Sequence, residues 1–323
     1  MQPTASRCAL AAADAYVGRS NLRKTLMQLS AYHPFLSAQA QEAYLAFYDQ
    51  RAKAWPVASE TKLVDTFLGQ TFVRISGSTD APPLVLLSGS VFSSLMWIPN
   101  IEALSRQYRT YAVDNIYDSG RSIYTRAPKN LDDLVHWLDE LFTALEFGNH
   151  INLMGLSYGS WLTHQYALRF SQRLRKIVLL AHPSLVPMNA GFILRFLFCF
   201  ISPGYLADFG YWLLWDAAEK DASSRALVDA GLEEMRLAGR CFQPKRVITP
   251  QVVKDQELRE LQVPALFAMG EHEKTFSTPK ALSRLRRVAP HLQTVLIAKA
   301  GHDLSFAQAQ LVNETVLAFL ASV

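Results

Sequence analysis

The sequence predicts a doubly wound, mostly parallel α/β sheet with an inserted helical cap, and three observations support this class. Apolar runs such as residues 84–87 and 177–180 do not alternate with polar residues, which is typical of strands buried on both faces. Segments with helical spacing separate these runs, in the order that parallel strands with crossover helices require. Between about Pro183 and Leu258 the alternation stops and the pattern is helical throughout, which indicates an insertion.

The individual elements follow from local patterns in a chain of 323 residues, half of them hydrophobic, which suffices for one large core. Asn130 is expected to cap a helix, because Asp133 lies in its first turn and leucines recur after it at helical spacing. We predict a helical extension over residues 1–60, an α/β core over 61–183 and 259–323, and the helical cap over 184–258. Strands are predicted at 71–75, 84–87, 110–113, 151–154, 177–180, 265–269 and 294–298, and further helices at 97–104, 161–170, 279–288 and 306–320.

Charge and cysteine usage narrow the expected partners and the location. The formal net charge is +4, and the basic clusters at 173–176 and 284–287 lie at predicted helix ends, where cations complement the helix dipole. No nucleic-acid partner is therefore expected. Cys8, Cys199 and Cys241 are odd in number and widely spaced, which predicts reduced thiols and a cytoplasmic location. The N-terminal apolar stretch is too short for a secretory signal.

Residues 192–201 are apolar nearly all round and invite comparison with a membrane span. A spanning helix needs about 20 apolar residues. Arg195 interrupts this run, and the Ser-Pro-Gly segment at 202–204 ends it. We predict no transmembrane segment, while peripheral contact of this stretch with a bilayer stays open.

The segment Gly155-Leu-Ser-Tyr-Gly carries the strongest chemical signal. An apolar run at 151–154 precedes it and a helical pattern follows it. Small residues two positions before and two after Ser157 allow a sharp strand-to-helix turn, which lifts the serine side chain to the helix N-terminus. The five-residue pattern occurs by chance in many proteins, but the flanking strand and helix are what a nucleophile elbow requires. Ser157 is the predicted nucleophile.

A serine hydroxyl needs a base to activate it and an acid to orient that base. In this topology both should follow the serine, acid before base, each just after a later strand. The predicted strand at 265–269 is followed by Glu271, His272 and Glu273, and the strand at 294–298 by His302. We predict His302 as the base, with His272 as its rival. We predict Glu273 as the acid, because it lies further beyond its strand and can reach over; Glu271 stays open.

Developing negative charge on a carbonyl oxygen requires backbone amides as donors. One donor is expected from Tyr158, directly after the nucleophile. The other should come from the loop at 88–92, which follows the predicted strand at 84–87. Gly89 allows this loop to turn sharply, and the Ser90 amide is the expected donor.

Taken together, these motifs resemble α/β-hydrolase-fold serine hydrolases, and most closely their bacterial carboxylesterase-like members. The resemblance is carried by the elbow and the acid and base segments, by the run Leu-Leu-Ser-Gly…Phe-Ser-Ser…Met-Trp at 86–97, and by the loop at 114–122. It covers about 67–319, minus the cap. Ser88 stands where the family usually has histidine, and the acid is glutamate where the wider family most often has aspartate.

The resemblance implies a two-step reaction without a metal or an organic cofactor. His302 would take the proton of Ser157 as it attacks a carbonyl, Glu273 would orient the imidazole, and water would release the acyl-enzyme. The implied substrate is a small or medium apolar ester, with the aromatic cap forming its pocket. A C–C bond hydrolase, amidase or lactonase with the same triad is the alternative, and a non-catalytic binding module on the same fold is the alternative from another class.

Overall fold

The computed structural model describes residues 34–201 and 205–322, and within them the chain forms one nine-stranded sheet flanked by helices. The strands are β1 (Glu60–Thr66), β2 (Gly69–Ser76), β3 (Pro83–Leu87), β4 (Arg109–Val113), β5 (Ile123–Tyr124), β6 (Ile151–Leu156), β7 (Leu174–Leu180), β8 (Ala265–Gly270) and β9 (Gln293–Ile297). The helices are α1 (Ala38–Ala52), α2 (Ile98–Ser105), α3 (Leu131–Ala144), α4 (Tyr158–Arg169), α5 (Ala190–Ile201), α6 (Leu206–Leu213), α7 (Trp215–Lys220), α8 (Ala222–Cys241), α9 (Asp255–Glu260), α10 (Thr278–Val288), α11 (Leu304–Ala307) and α12 (Ala309–Ala321).

The sheet has the order β1-β2-β4-β3-β6-β7-β8-β9, and β5 pairs with β2. All neighbours from β4 to β9 are parallel, whereas β2 is antiparallel to β1, β4 and β5. The predicted class, a mostly parallel doubly wound sheet, is confirmed. Strands β1 and β5 were not predicted, because β1 is largely exposed and β5 has only two residues.

Apolar side chains cover both faces of the central strands. In β3, Leu84 and Leu86 belong to one buried cluster, while Val85 and Leu87 belong to the other. Successive residues of a strand point to opposite faces, so a strand covered on both sides needs a continuous apolar run. This is why these runs in the sequence identified the parallel strands.

Two helices differ from their predicted bounds in ways that matter at the site. Helix α4 begins at Tyr158, directly after Ser157, three residues earlier than predicted. The predicted last helix is two helices, α11 and α12, separated at Gln308, where φ is −125° and ψ is 44°. The Asn130 cap is confirmed, since its side chain accepts the Asp133 amide at 3.0 Å. Predictions for residues 1–33, including Cys8, and for 202–204 lie outside the described residues.

Helices α5 to α8 lie between β7 and β8 in the chain and form the insertion. Helix α1 connects this insertion to the sheet. Tyr44 donates a hydrogen bond to Glu234 of α8 at 2.8 Å, and Arg51 pairs with the same buried carboxylate. On the sheet side, the Tyr48 hydroxyl lies 3.2 Å from the Ser94 hydroxyl. Helix α1 therefore contacts both the core and α8.

Candidate active site

Ser157 has an unusual backbone conformation in the sharp turn between β6 and α4. Its φ is 52° and its ψ is −114°, an unfavourable region for a residue with a side chain. A Cβ added to Gly155 would lie 2.2 Å from the Gly159 carbonyl group, and one added to Gly159 would lie 2.4 Å from the Leu87 oxygen. Both glycines are therefore needed for the close approach of β6, α4 and β3. The turn places Ser157 at the end of β6 and directly before α4.

The structure brings Glu273 and His302 together. Nδ1 of His302 lies 2.9 Å from Oε2 and 3.1 Å from Oε1 of Glu273, and the Glu273 side chain is fully buried. Thr275 donates its amide and its hydroxyl to Oε1, each at 2.8 Å. Because Thr275 and His302 both donate to this carboxylate, it is held in one orientation against the imidazole ring.

The two groups change each other's proton affinity. Burial alone raises the pKa of Glu273, but the charge and hydrogen bond of His302 and the two bonds from Thr275 outweigh it, so this pKa lies below its usual value. Burial likewise lowers the pKa of His302, yet the Glu273 carboxylate and the neighbouring charge of Asp303 raise it above its ordinary value. The pair stabilises an imidazolium, which is what a base must become after taking a proton.

The rival residues face elsewhere. Glu271 is about half exposed, accepts the Lys299 amide at 3.1 Å and lines an open cavity of about 620 Å³ on the outside of α10. His272 is also about half exposed, and its Nδ1 lies 2.8 Å from Asp216 of α7. The geometry therefore favours Glu273 over Glu271 and His302 over His272. Ser157, Glu273 and His302 follow β6, β8 and β9, whose carboxyl ends share one edge of the sheet.

The loop at 88–92, hereafter the β3 loop, runs beside the elbow. A Cβ on Gly89 would lie 3.6 Å from the Cβ of Ser157. The Ser90 amide has no hydrogen-bond partner within the described ranges, and the Tyr158 amide, at the first position of α4, has no helical carbonyl to bond. An unpaired amide directly after Ser157 and a second one in the loop that contacts Ser157 are what an oxyanion hole requires.

Sequence reasoning assigned no role to Asp303, although it directly follows His302. Its buried carboxylate accepts the Ala217 amide of α7 at 2.7 Å and the Gly301 amide at 3.1 Å. Burial raises the pKa of Asp303, and these two amides act in the opposite direction. Asp118, whose carboxylate accepts the Val91 amide of the β3 loop, was missed as well. The partners of these two carboxylates, Ala217 and Lys245, are distant in the sequence, so no local pattern could predict the contacts.

No cluster of three or more His, Cys, Asp or Glu side chains fit for a metal occurs in the described part of the chain. Cys199 and Cys241 are free thiols. Over the same residues, 34–201 and 205–322, no helix is long and apolar enough to cross a membrane.

Comparison with known proteins places this geometry in a family. The alpha/beta hydrolase family matches residues 84–315. Carboxylesterase YbfK of Bacillus subtilis is 32% identical over 286 residues, which cover 88% of this chain and 96% of the relative. The crystal structure of naproxen esterase from Bacillus subtilis superposes with a TM-score of 0.79 at 32% identity, covering 88% of this chain and 99% of that one. The predicted likeness to carboxylesterase-like hydrolases, and with it the assignment as a hydrolase, is confirmed: the chain belongs to the α/β hydrolase family.

Proposed function

We propose that this chain is a carboxylesterase that cleaves small or medium apolar esters through an acyl-enzyme on Ser157. The observation that carries the proposal is the buried Glu273–His302 pair on the sheet edge that also bears the strained Ser157 turn. Its relatives named carboxylesterase YbfK and naproxen esterase, similar over most of the chain, support the choice of esters.

In the first step, the Ser157 oxygen attacks the ester carbonyl while Nε2 of His302 takes the hydroxyl proton. Glu273 accepts from Nδ1, which leaves Nε2 as the basic atom of the ring and stabilises the charge that it acquires. The Ser90 and Tyr158 amides donate to the oxyanion. His302 then returns the proton to the leaving alkoxide, and an alcohol departs. In the second step, His302 activates water in the same way, and the acid leaves with Ser157 restored.

We further propose that the insertion is the predicted cap over 184–258 and that it bounds the substrate pocket. Its α5 and α6 carry an aromatic cluster, in which the Phe192 and Phe209 rings lie 5.7 Å apart and the Phe209 and Trp212 rings 5.9 Å apart. Gly231 of α8 lies against Phe92 of the β3 loop, since a Cβ there would be 3.0 Å from the ring. An aromatic surface of this kind favours apolar acyl or alcohol groups.

A cytoplasmic location and the absence of a nucleic-acid partner stay predictions from composition. Peripheral contact with a bilayer stays open. It is supported by one face of α5, where Leu194, Leu197, Phe198 and Ile201 follow helical spacing and are all about half or more exposed. Sedimentation of the protein with liposomes tests it, and a protein that stays entirely in the supernatant would contradict it.

The proposed activity is tested with p-nitrophenyl esters from acetate to decanoate, together with a fluorophosphonate probe. We expect turnover, a preference among the acyl lengths, and stoichiometric labelling that disappears in Ser157→Ala. Folded wild-type protein that is neither labelled nor active on any ester would sink the proposal. Labelling without ester turnover would direct attention to the alternatives with the same triad, namely the amidase, lactonase and C–C bond hydrolase reactions.

A further inference from the structure

Val91, the residue after the proposed oxyanion donor Ser90, has an unfavourable backbone. Its φ is 62°, and a β-branched residue rarely adopts a positive φ. The Val91 side chain is 41% exposed, so packing of that side chain does not hold the turn. The Ser88 hydroxyl is buried and has no partner among the described residues, so it does not brace the loop either. The Phe92 amide closes the turn by donating to the Gly89 carbonyl at 3.3 Å, and Asn115 donates to the Ser88 carbonyl at 3.1 Å, but neither bond reaches the Val91 amide.

Asp118 is the group in contact with the strained residue. The Val91 amide lies 3.1 Å from each of the two carboxylate oxygens, and the Ser119 amide donates to one of them at 2.9 Å. The Asp118 side chain is only 9% exposed. A buried carboxylate that receives amide hydrogen bonds makes stronger bonds than a neutral acceptor would.

The charge of Asp118 is balanced by Lys245, whose Nζ lies 3.2 Å from the carboxylate and 5.6 Å from the centre of the Tyr117 ring. Lys245 belongs to the return segment, residues 243–254, which leads from α8 back to the core. The same segment also contacts the other proposed donor residue, because the Tyr158 hydroxyl donates to the Ile248 carbonyl at 3.1 Å. One stretch of chain thus holds both sides of the proposed oxyanion hole.

We propose that Asp118 is a positioning residue for the oxyanion hole, and the inference rests on the proposed esterase function. By binding the Val91 amide, Asp118 holds the Ser90–Val91 peptide in its strained turn, and the preceding Ser90 amide keeps its place beside Ser157. Lys245 fixes the carboxylate from the return segment. Docking of that segment and stabilisation of the oxyanion are therefore coupled, although neither Asp118 nor Lys245 touches the substrate.

The test uses the full-length chain with Asp118→Asn, with Lys245→Met and with Asp118→Asn in a Val91→Gly background. Glycine accepts a positive φ without strain, so the turn in that background needs less restraint. Asp139→Asn is the matched control. Like Asp118, Asp139 pairs with a cation (Arg173), and it accepts the Tyr166 hydroxyl, but it lies on α3. For each protein, kcat and KM are measured on p-nitrophenyl butyrate, together with the rate constant of inactivation by the fluorophosphonate probe.

We expect Asp118→Asn to lower kcat and the inactivation rate constant about tenfold or more with little change in KM, because loss of a full oxyanion donor costs about 10²–10³. Lys245→Met should lower kcat less, Asp139→Asn should not change it, and the Asp118→Asn loss should shrink in the Val91→Gly background. Wild-type kcat in Asp118→Asn, or an equal loss in both backgrounds, would overturn the inference. Inactive wild-type protein would instead refute the esterase proposal.

Discussion

The carboxylate of Asp303 accepts the amide of Ala217 at 2.7 Å and thereby joins the residue after His302 to helix α7 of the insertion. The side chain of Asp303 is buried, and its charge contributes to the raised pKa of His302. A second link lies beside it, since Asp216 of the same helix is 2.8 Å from His272. Asp303, the residue next to the proposed base His302, thus also binds helix α7 of the insertion.

The substitution Asp303→Asn removes this charge while keeping most of the volume. We expect the pKa of His302 to fall, because a negative neighbour no longer favours the imidazolium. The acidic limb of kcat/KM should shift to lower pH, and KM should rise about two- to tenfold as the α7 contact weakens by roughly one hydrogen bond. A full pH–rate profile on a p-nitrophenyl ester measures both. An unchanged limb would show that Asp303 does not act on His302.

The wild-type pH profile follows from the raised pKa of His302. Only the neutral imidazole accepts the Ser157 proton, so activity should be lost as the pH falls through the folded-state pKa. Because that pKa lies above its ordinary value of 6.5, the acidic limb of kcat/KM should have its midpoint above pH 6.5. A midpoint clearly below 6.5 would show that burial of His302 outweighs the charge of Glu273.

Glu273→Gln and Glu271→Gln separate the two candidate acids. The neutral amide introduced by Glu273→Gln cannot stabilise the imidazolium, so kcat should fall on the order of 10³- to 10⁴-fold. Glu271 is half exposed and accepts the Lys299 amide instead of contacting the His302 ring, so its variant should stay within about twofold of wild type. Thermal unfolding of both variants serves as the control for folding. Loss of activity in Glu271→Gln alone would reverse the assignment.

Two glycine-to-alanine substitutions should have opposite effects on stability. In Gly155→Ala the new methyl group would lie 2.2 Å from the Gly159 carbonyl, so the elbow cannot form without displacement of its backbone. We expect a loss of several kcal/mol or no folded protein. Gly239, within α8, has no atom within 4 Å of an added Cβ. Gly239→Ala should stabilise the protein by about 0.5–1 kcal/mol. Urea unfolding measures both, and equal effects would contradict the turn geometry.

A buried pair of histidines that has no part in the proposed mechanism predicts sensitivity to acid. Nδ1 of His164 lies 3.1 Å from Nε2 of His182, and burial lowers the pKa of His164 from 6.5 to about 4. The unfolded chain binds protons more readily, so this contribution to stability is present above pH 6.5 and is lost as the pH falls towards 4. The free energy of unfolding should drop by about 3 kcal/mol over that range. In His164→Gln the dependence should be shallower; an equally steep one would exclude His164 as its source.

The parallel strands and the triad candidates could be predicted because their signals are local. A strand covered on both faces requires a continuous apolar run, and the elbow requires small residues at fixed spacing around Ser157. The choice of Glu273 followed from its distance beyond the strand. Asp118 and Asp303 could not be found in this way, since their partners Lys245 and Ala217 are 127 and 86 residues away. The separation of α11 from α12 at Gln308 could not be predicted either, because the hydrophobic pattern does not change there.

Helix α1 restrains the position of the insertion on the core. Through Tyr44 and Arg51 it fastens Glu234 of α8, and through Tyr48 it reaches the core, so α8 is anchored at a point well inside its length. To swing open as one hinged lid, the insertion would have to break the bonds of Tyr44 and Arg51 to Glu234. Rearrangement of α5 and α6 alone would leave these bonds intact, whereas α7 is bonded to the core through Ala217 and Asp216. Substitutions confined to the insertion would therefore leave unchanged the α1 side chains that hold α8 in place.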